Sequence, residues 1–460
     1  MGQTIIIGGG ISGLATAWFL RRRGVAVTVL EAGVEPGGTV RTVVRDGFLI
    51  DTGPTSTLNR GGALDELIAG LGLEGEVLEA DRRAARYIVK NGAFVPLPTG
   101  PASFVRTPLF SGRAKLRLLA EPLHGRAAEE ESIAQFVRRR LGPEFLDWAV
   151  DPFVSGVYAG DPEKLSVRAA VPRLYALEAR HRSLFLGALA AAFRGRGGGA
   201  QPRGRLITFR SGMQTLPRAI AAALGDALQL DSPVHGIERT ADGSWLVRAA
   251  SGDYRGDTLV LAVPAARAAE LLAPLDPEIA ALLRAIPYPP VASVALGFAH
   301  EQIGRPLAGF GALLPRRLQR ETLGVIFSSA LFPGRAPAGK VLLTAFIGGA
   351  RNPAIRGAPE PELAERVLAD LAPLLDIHGR PILVHVTRWD EAIPQYELGH
   401  GERIARLKAA LRRWPGLHLR ANWSDGVSLA DSVSAAAAQA AALLEGHEVR
   451  PAGPREEDGA

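Results

Sequence analysis

The chain has 460 residues, 47% of them hydrophobic, with 53 Lys and Arg against 47 Asp and Glu and no cysteine. That length exceeds one compact core, so two or three domains are expected. The lack of cysteine excludes disulfides, thiolate metal ligands and a redox dithiol, and no apolar run is long enough to span a bilayer.

The net charge of +6 is unevenly placed. Residues 101–210 hold eighteen basic and ten acidic residues, a net of +8, which leaves −2 for the rest. A basic face of that kind suits anionic lipid or an acidic substrate. No zinc pattern or RNA-binding aromatic motif accompanies it, so nucleic acid is not expected. The nine histidines show no ligand spacing, and no metal is expected. The N-terminus reads as a core strand rather than a cleaved signal, which points to a cytoplasmic protein.

The first element is an apolar run, Thr4–Ile7, followed by Gly8-Gly9-Gly10-Ile11-Ser12-Gly13 and a helical stretch. Gly8, Gly10 and Gly13 fit G-x-G-x-x-G. The spacing allows a tight strand-to-helix turn and lets backbone N–H groups, including those of Ile11 and Ser12, approach a pyrophosphate at the helix start. A second apolar run ends on Glu31, eighteen residues after Gly13, where a carboxylate accepts ribose hydroxyls and disfavours a 2′-phosphate. Gly37-Gly38 with Arg41 follows at once. A nicotinamide dehydrogenase needs no such second turn, whereas an extended FAD does.

Beyond this unit, Leu64–Gly70 reads as a short helix and Ala85–Pro98 as a strand pair turning at Asn91-Gly92. Helices are predicted at Arg113–Leu123, Ser132–Leu141, Pro143–Val154, Ser166–Glu178 and Ser183–Phe193, then a breaker at Arg194–Gly204. The run Arg138–Arg140 reads as a solvated helix face. Met213–Leu224 is a predicted helix, and strands are expected at Ala227–Leu230, Val234–Arg239, Ser244–Ala249, Thr258–Val263, Val291–Phe298, Leu323–Ser328 and Val341–Gly348. Glu278–Ala285 and Glu362–Leu375 read as helices. His418–Ala421 leads into an alanine-rich helix, Asp431–Glu445, and a disordered tail from 448 to 460.

Several segments carry a resemblance in collinear order from residue 4 to 445. They are Gly37-Gly38-Thr39-Val40-Arg41-Thr42, Arg86-Tyr87, Asp151 to Pro162 (DPFVSGVYAGDP), Phe327 to Pro333, Arg388-Trp389, Ile393-Pro394-Gln395-Tyr396 with Gly399-His400, and Asn422-Trp423 with Gly426 to Asp431. The chain resembles the protoporphyrinogen oxidases of the flavin amine oxidase superfamily. It departs from them at Ala421, Ser432 and Thr55-Ser56-Thr57.

The resemblance implies an α/β fold, in which a Rossmann-type FAD-binding domain (1–60, 205–265, 395–447) is interleaved with an α+β substrate domain (61–100, 266–394). A basic helical insert (101–204) completes it. It implies FAD held non-covalently and oxidation of protoporphyrinogen IX to protoporphyrin IX in haem synthesis. Three two-electron hydride transfers from the ring reach flavin N5, with dioxygen as acceptor and no catalytic residue beyond the flavin. Alternatives are coproporphyrinogen III as substrate, or another hydride-removing flavoenzyme such as an amine oxidase or carotenoid desaturase. Arg86 is expected to pair with a substrate propionate. Leu331, Phe332 and Ile347 would sandwich the macrocycle, and Gly156 would give it a wall free of side chains. Gly53, Pro54, Val234, Trp389, Val427, Ser428 and Leu429 join the glycine loops as expected FAD contacts. The final helix start would face the flavin pyrimidine. Peripheral contact with the inner face of an anionic cell membrane and a homodimer are compatible with the same resemblance.

Overall fold

A computed structural model describes residues 2–184, 187 and 204–448. The predicted Ser183–Phe193 helix and the breaker after it fall almost wholly outside these residues, as does the tail from Val449.

Thr4–Ile7 is completely buried and pairs in parallel with Val27–Leu30 on one side and Thr258–Leu261 on the other. Leu228–Gln229 and Leu417–Leu419 extend the sheet at its two edges, so a five-stranded parallel sheet draws on three distant stretches of the chain. Parallel sheets are covered on both faces. One face carries helices Ile11–Arg21, Thr215–Leu224 and Leu429–Glu448, whose shared core includes Leu14, Leu216 and Val433. The other carries the antiparallel strands between Val234 and Gly256 and the helices Ala265–Leu272, Pro277–Arg284 and His400–Leu411. Residues 265–284 were expected in the substrate domain from 266 onward. They pack instead on the parallel sheet, because Ala268, Leu272, Ile279 and Leu283 share a core with Ile5, Leu259 and Leu261.

The second sheet has seven strands in the order 383–389, 291–299, 340–348, 322–326, 311–313, 86–90 and 93–96. Side chains alternate across it. Val294, Leu296, Ala345 and Leu343 face the helix Glu360–Leu375. Ala295 and Leu342 lie on the other face, against Phe48 and Ile50 of the hairpin that follows the second glycine pair.

The helical insert is broken where proline requires it. The predicted Pro143–Val154 helix gives way to a π turn at Leu146–Val150, and a new helix, Asp151–Tyr158, takes Pro152 in its first turn. Ser166–Glu178 splits likewise into Val167–Ala170 and Pro172–His181 at Pro172. The reading of Arg138–Arg140 as a solvated face needs correction. Arg140 is fully buried, with its guanidinium between the carboxylates of Glu121 and Glu178, and Arg139 pairs with Glu131 and Glu178. Phe104, Phe110 and Phe145 stack in the same core.

Candidate functional site: a glycine cradle and an apolar sheet face

Three glycines of the first loop differ in what they do for the fold. Gly8 has φ +110°, and a Cβ there would lie 2.6 Å from the Ala262 carbonyl oxygen. At Gly13 a Cβ would lie 2.0 Å from the Gly8 carbonyl oxygen, so the helix could not sit so close to the strand. Gly10 has an ordinary φ of −72°, and a Cβ there would meet nothing within 4 Å. Packing does not require glycine at position 10. Close approach of a ligand to the backbone would, and this cradle fits a diphosphate beside the N–H groups of Ile11 and Ser12.

Glu31 organises the rim. One carboxylate oxygen accepts the Gly9 N–H at 2.6 Å and the other the Gly33 N–H at 2.7 Å. Each oxygen keeps a lone pair for a ribose hydroxyl. The second glycine pair touches the first: Gly37 donates its N–H to the Gly9 carbonyl at 2.8 Å, and both Gly37 and Gly38 have positive φ. Arg41 Nε donates to the Gly38 carbonyl at 3.0 Å. At Gly53 a Cβ would lie 1.9 Å from the Thr39 carbonyl oxygen, which holds the Gly53-Pro54 turn against this loop. Trp389 Nε1 donates to the Thr52 carbonyl at 3.0 Å, tying the second sheet to the same turn. Val234 is buried, and its carbonyl accepts from Arg267.

Sequence reasoning missed Asp51 and Arg335. The two form a buried ion pair at 3.1 Å, and Asp51 also accepts from Thr42 Oγ1 and the Met213 N–H. Burial pushes the Asp51 carboxyl up, against the opposing effect of Arg335 and these donors. Thr57 Oγ1 and Arg335 Nη1 are buried without a partner among the described residues. The signal was Asp51 itself, an acid inside an apolar strand.

At the last helix, Ser428 Oγ accepts the Asp431 N–H and donates to its carboxylate, while Leu429 packs into the core of the parallel sheet. Val427 packs on the helical insert. The Gly426 N–H donates to the Tyr396 hydroxyl at 3.0 Å, and that hydroxyl donates to the Asn422 carbonyl. Tyr396 stacks on His400 at 4.3 Å. Burial pulls His400 down to about 4, so it is a neutral ring donating through Nε2 to the Trp423 carbonyl.

The face of the seven-stranded sheet nearest this end is half-exposed and apolar. Cross-strand register puts Arg86 beside Gly311, Leu313 beside Gly324, and Phe346 opposite Gly324 and Ser293. Leu313, Ile326 and Phe346 are partly exposed there, whereas their neighbours Ala312, Val325, Ala345 and Ile347 are buried on the other face. Ile347 is thus not placed to sandwich a ligand: it packs against Ile355 and Leu363, and Phe346 takes the open face. Leu331 and Phe332 are buried with Ala80, adjoining Ile326. Arg86 lies over Phe310 at 5.2 Å and has no carboxylate partner among the described residues. Gly156 closes the face from the insert, and a Cβ there would lie 2.3 Å from Leu313. A cationic fork at the edge of an apolar wall is suited to a flat hydrophobic molecule bearing a carboxylate.

A parallel sheet opened by a glycine-rich turn and tied by Trp389 to a second sheet is the arrangement of a flavin-type oxidoreductase. The chain belongs to the flavin containing amine oxidoreductase family, whose profile matches residues 11–444. It is 36% identical to the chloroplastic protoporphyrinogen oxidase of Oryza sativa subsp. japonica, over 94% of this chain and 86% of that protein. It is also 32% identical to the coproporphyrinogen III oxidase of Bacillus subtilis, over 94% and 95%. A crystal structure from Exiguobacterium sp. 255-15, provisionally named a protoporphyrinogen oxidase, superposes with TM-score 0.82 at 27% identity, covering 96% of this chain and 99% of that one. Cyclohexylamine oxidase from Brevibacterium oxydans IH-35A shares the fold with TM-score 0.70 at 19% identity, covering 97% and 99%.

Proposed function

We propose that the chain is an oxygen-using porphyrinogen oxidase that holds FAD non-covalently and converts protoporphyrinogen IX to protoporphyrin IX. The observation that carries this is the pairing of the glycine cradle with the Arg86-edged apolar face, in a chain over a third identical to a protoporphyrinogen oxidase. The cradle residues Gly8 to Gly13, Glu31, Gly37, Gly38 and Arg41 would hold the dinucleotide. Gly53, Pro54, Trp389 and Val427 to Leu429 would bound its flavin end.

When bound, the flavin supplies the two-electron acceptor for hydride removal from a meso carbon. The protein's part is orientation. Phe346, Leu313 and Ile326 would hold the ring by apolar contact, Arg86 would fix one propionate, and the wall at Gly156 would exclude water. The ring nitrogens release their own protons, so no strong base is required of the chain. Mixing the flavin-loaded protein with protoporphyrinogen in air and following porphyrin fluorescence and peroxide tests the reading. Porphyrin formation no faster than the spontaneous rate overturns it. Arg86→Ala should raise KM for protoporphyrinogen about tenfold with little change in kcat, since a charge-assisted hydrogen bond contributes on the order of 1.5–3 kcal/mol. An unchanged KM removes Arg86 from that role.

The insert also supports peripheral contact with an anionic membrane. Among the described residues no helix is long and apolar enough to cross one. Val105, Leu116, Leu119 and Leu123 are each more than two-thirds exposed, and Arg106 and Arg113 lie on the same short helices. Exposed leucines beside cations suit the headgroup boundary. The double variant Leu119→Glu, Leu123→Glu should cut cosedimentation with vesicles containing phosphatidylserine at least threefold, and an undiminished pellet would count against this surface.

A further inference from the structure

A cavity of about 530 Å³ lies outside the glycine cradle and the Arg86 face. Ser155, Ala159 and Gly160 form one wall, the end of the hairpin from Leu314 to Leu323 another, and Gly348 to Asn352 with Arg366 close it. It borders the apolar face where Gly156 meets Leu313, the chain neighbours of its lining residues Ser155 and Leu314. Four arginines line it: Arg316, Arg320, Arg351 and Arg366.

Their partners differ. Arg351 is held by Asp151 and Asp161, Arg366 by Glu321 and Glu362, and Arg320 reaches Asp370 at 3.4 Å. The Arg316 guanidinium has no hydrogen bond or ion pair among the described residues, although its backbone N–H donates to Asp151 at 3.3 Å. Two more polar atoms around the cavity lack partners among the described residues. Thr322 is 1% exposed and its Oγ1 is unpaired, and so is the buried Nε of Arg351. An unpaired buried hydroxyl or guanidinium N–H costs free energy, and these belong to residues around one space.

We propose that this cavity is a carboxylate-binding site in which Arg316, the Thr322 hydroxyl and Arg351 Nε receive one carboxylate. The charges limit the anion. Five carboxylates already answer Arg320, Arg351 and Arg366, so even with Arg316 the guanidiniums are outnumbered by one, and Asp161 already feels the Arg316 charge. A single carboxylate that engages the unpaired donors is therefore the most negative charge the site takes, whereas a phosphate dianion or polyanion would meet Asp151, Asp161 and Glu321. Leu314, Leu323, Ala159 and Ala350 provide apolar wall for the rest of the ligand. The carboxylate has two possible sources. One is a far propionate of the porphyrinogen, since Arg86 flanks Gly311 and Arg316 follows five residues later, at most about 16 Å along an extended strand. The other is a separate small carboxylate. The first source rests on the function proposed above, and the second does not.

The test uses the flavin-loaded protein and its Arg316→Gln and Thr322→Val variants. Binding of coproporphyrin III, with four propionates, and of protoporphyrin IX, with two, is followed by fluorescence quenching. Binding of 3-phenylpropionate is followed by calorimetry. A tenfold weakening of either porphyrin by Arg316→Gln, with Thr322→Val changing it in the same direction, assigns the carboxylate to the tetrapyrrole. A tenfold weakening of 3-phenylpropionate alone assigns it to a separate ligand. Unchanged affinity for all three ligands in Arg316→Gln overturns the proposal. If the wild type binds neither porphyrin, the proposed function fails, and the 3-phenylpropionate titration still judges the cavity.

Discussion

Gly10→Val should give a folded protein that purifies without flavin. The strand-to-helix turn does not need glycine at this position, because its φ is −72° and a Cβ would meet nothing within 4 Å. A branched side chain there costs the fold little, yet it fills the space where a diphosphate would approach the N–H groups of the helix start. The expected result is an unfolding midpoint within a few degrees of the wild-type apoprotein and a flavin content, read from visible absorbance after denaturation, at least tenfold lower. Gly13→Val is the contrast. Its Cβ would fall 2.0 Å from the Gly8 carbonyl, so the helix must leave the strand and stability must drop with the flavin. Full flavin content in Gly10→Val would show that the cradle is only a turn.

Arg140→Met should destabilise the helical insert by about 3–5 kcal/mol, the usual cost of removing one partner of a buried ion cluster. Buried Glu121 would lose its Arg140 pair, and Glu178 would be left to Arg139 alone among these arginines. Limited proteolysis between residues 101 and 181 should become much faster, while the parallel sheet keeps its protection. Adding Glu121→Gln and Glu178→Gln to Arg140→Met should restore most of the loss, because the two carboxylates that faced Arg140 are then neutral. If Arg140→Met is as resistant as the wild type, the cluster does not hold the insert together. Acid should mimic the single change. Burial raises the Glu178 carboxyl but the hydrogen bonds from Arg139 and Arg140 outweigh it, so its folded value lies below the usual carboxylate range. Stability from this group is therefore present above about pH 4.3, its unfolded value, and is lost as pH falls through the lower folded value.

The glycine cradle was legible because its chemistry is local. Gly8, Gly13, Gly37 and Gly38 are required by backbone geometry within a few residues of themselves, and Glu31 by the N–H groups of Gly9 and Gly33. Long-range pairing was not legible in the same way. Nothing in the pattern of residues 138–140 distinguishes Arg140, which is buried, from Arg138, which is half-exposed, until the helix is packed against Glu178, 38 residues away. The ion pair of Asp51 with Arg335 crosses an even longer separation.

Strand faces give the clearest case. The sequence located the strand Val341–Gly348 and its apolar character, yet it expected Ile347 on the ligand face, whereas Ile347 is buried in the core under the helix Glu360–Leu375 and its neighbour Phe346 is the partly exposed one. A shift of one residue exchanges the faces of a strand, and an apolar run in a sheet buried on both sides carries no alternation to fix which face is which. Pairing with strands 291–299 and 322–326, and the helix Glu360–Leu375 laid over one side, made that choice. The sequence by itself determined the glycine turns and the family, since these rest on backbone-limited glycines and collinear segments. Only the tertiary structure decided which residues line the apolar face, which arginine is buried and where an unpaired one borders a cavity, because burial and pairing are set by neighbours distant in the chain.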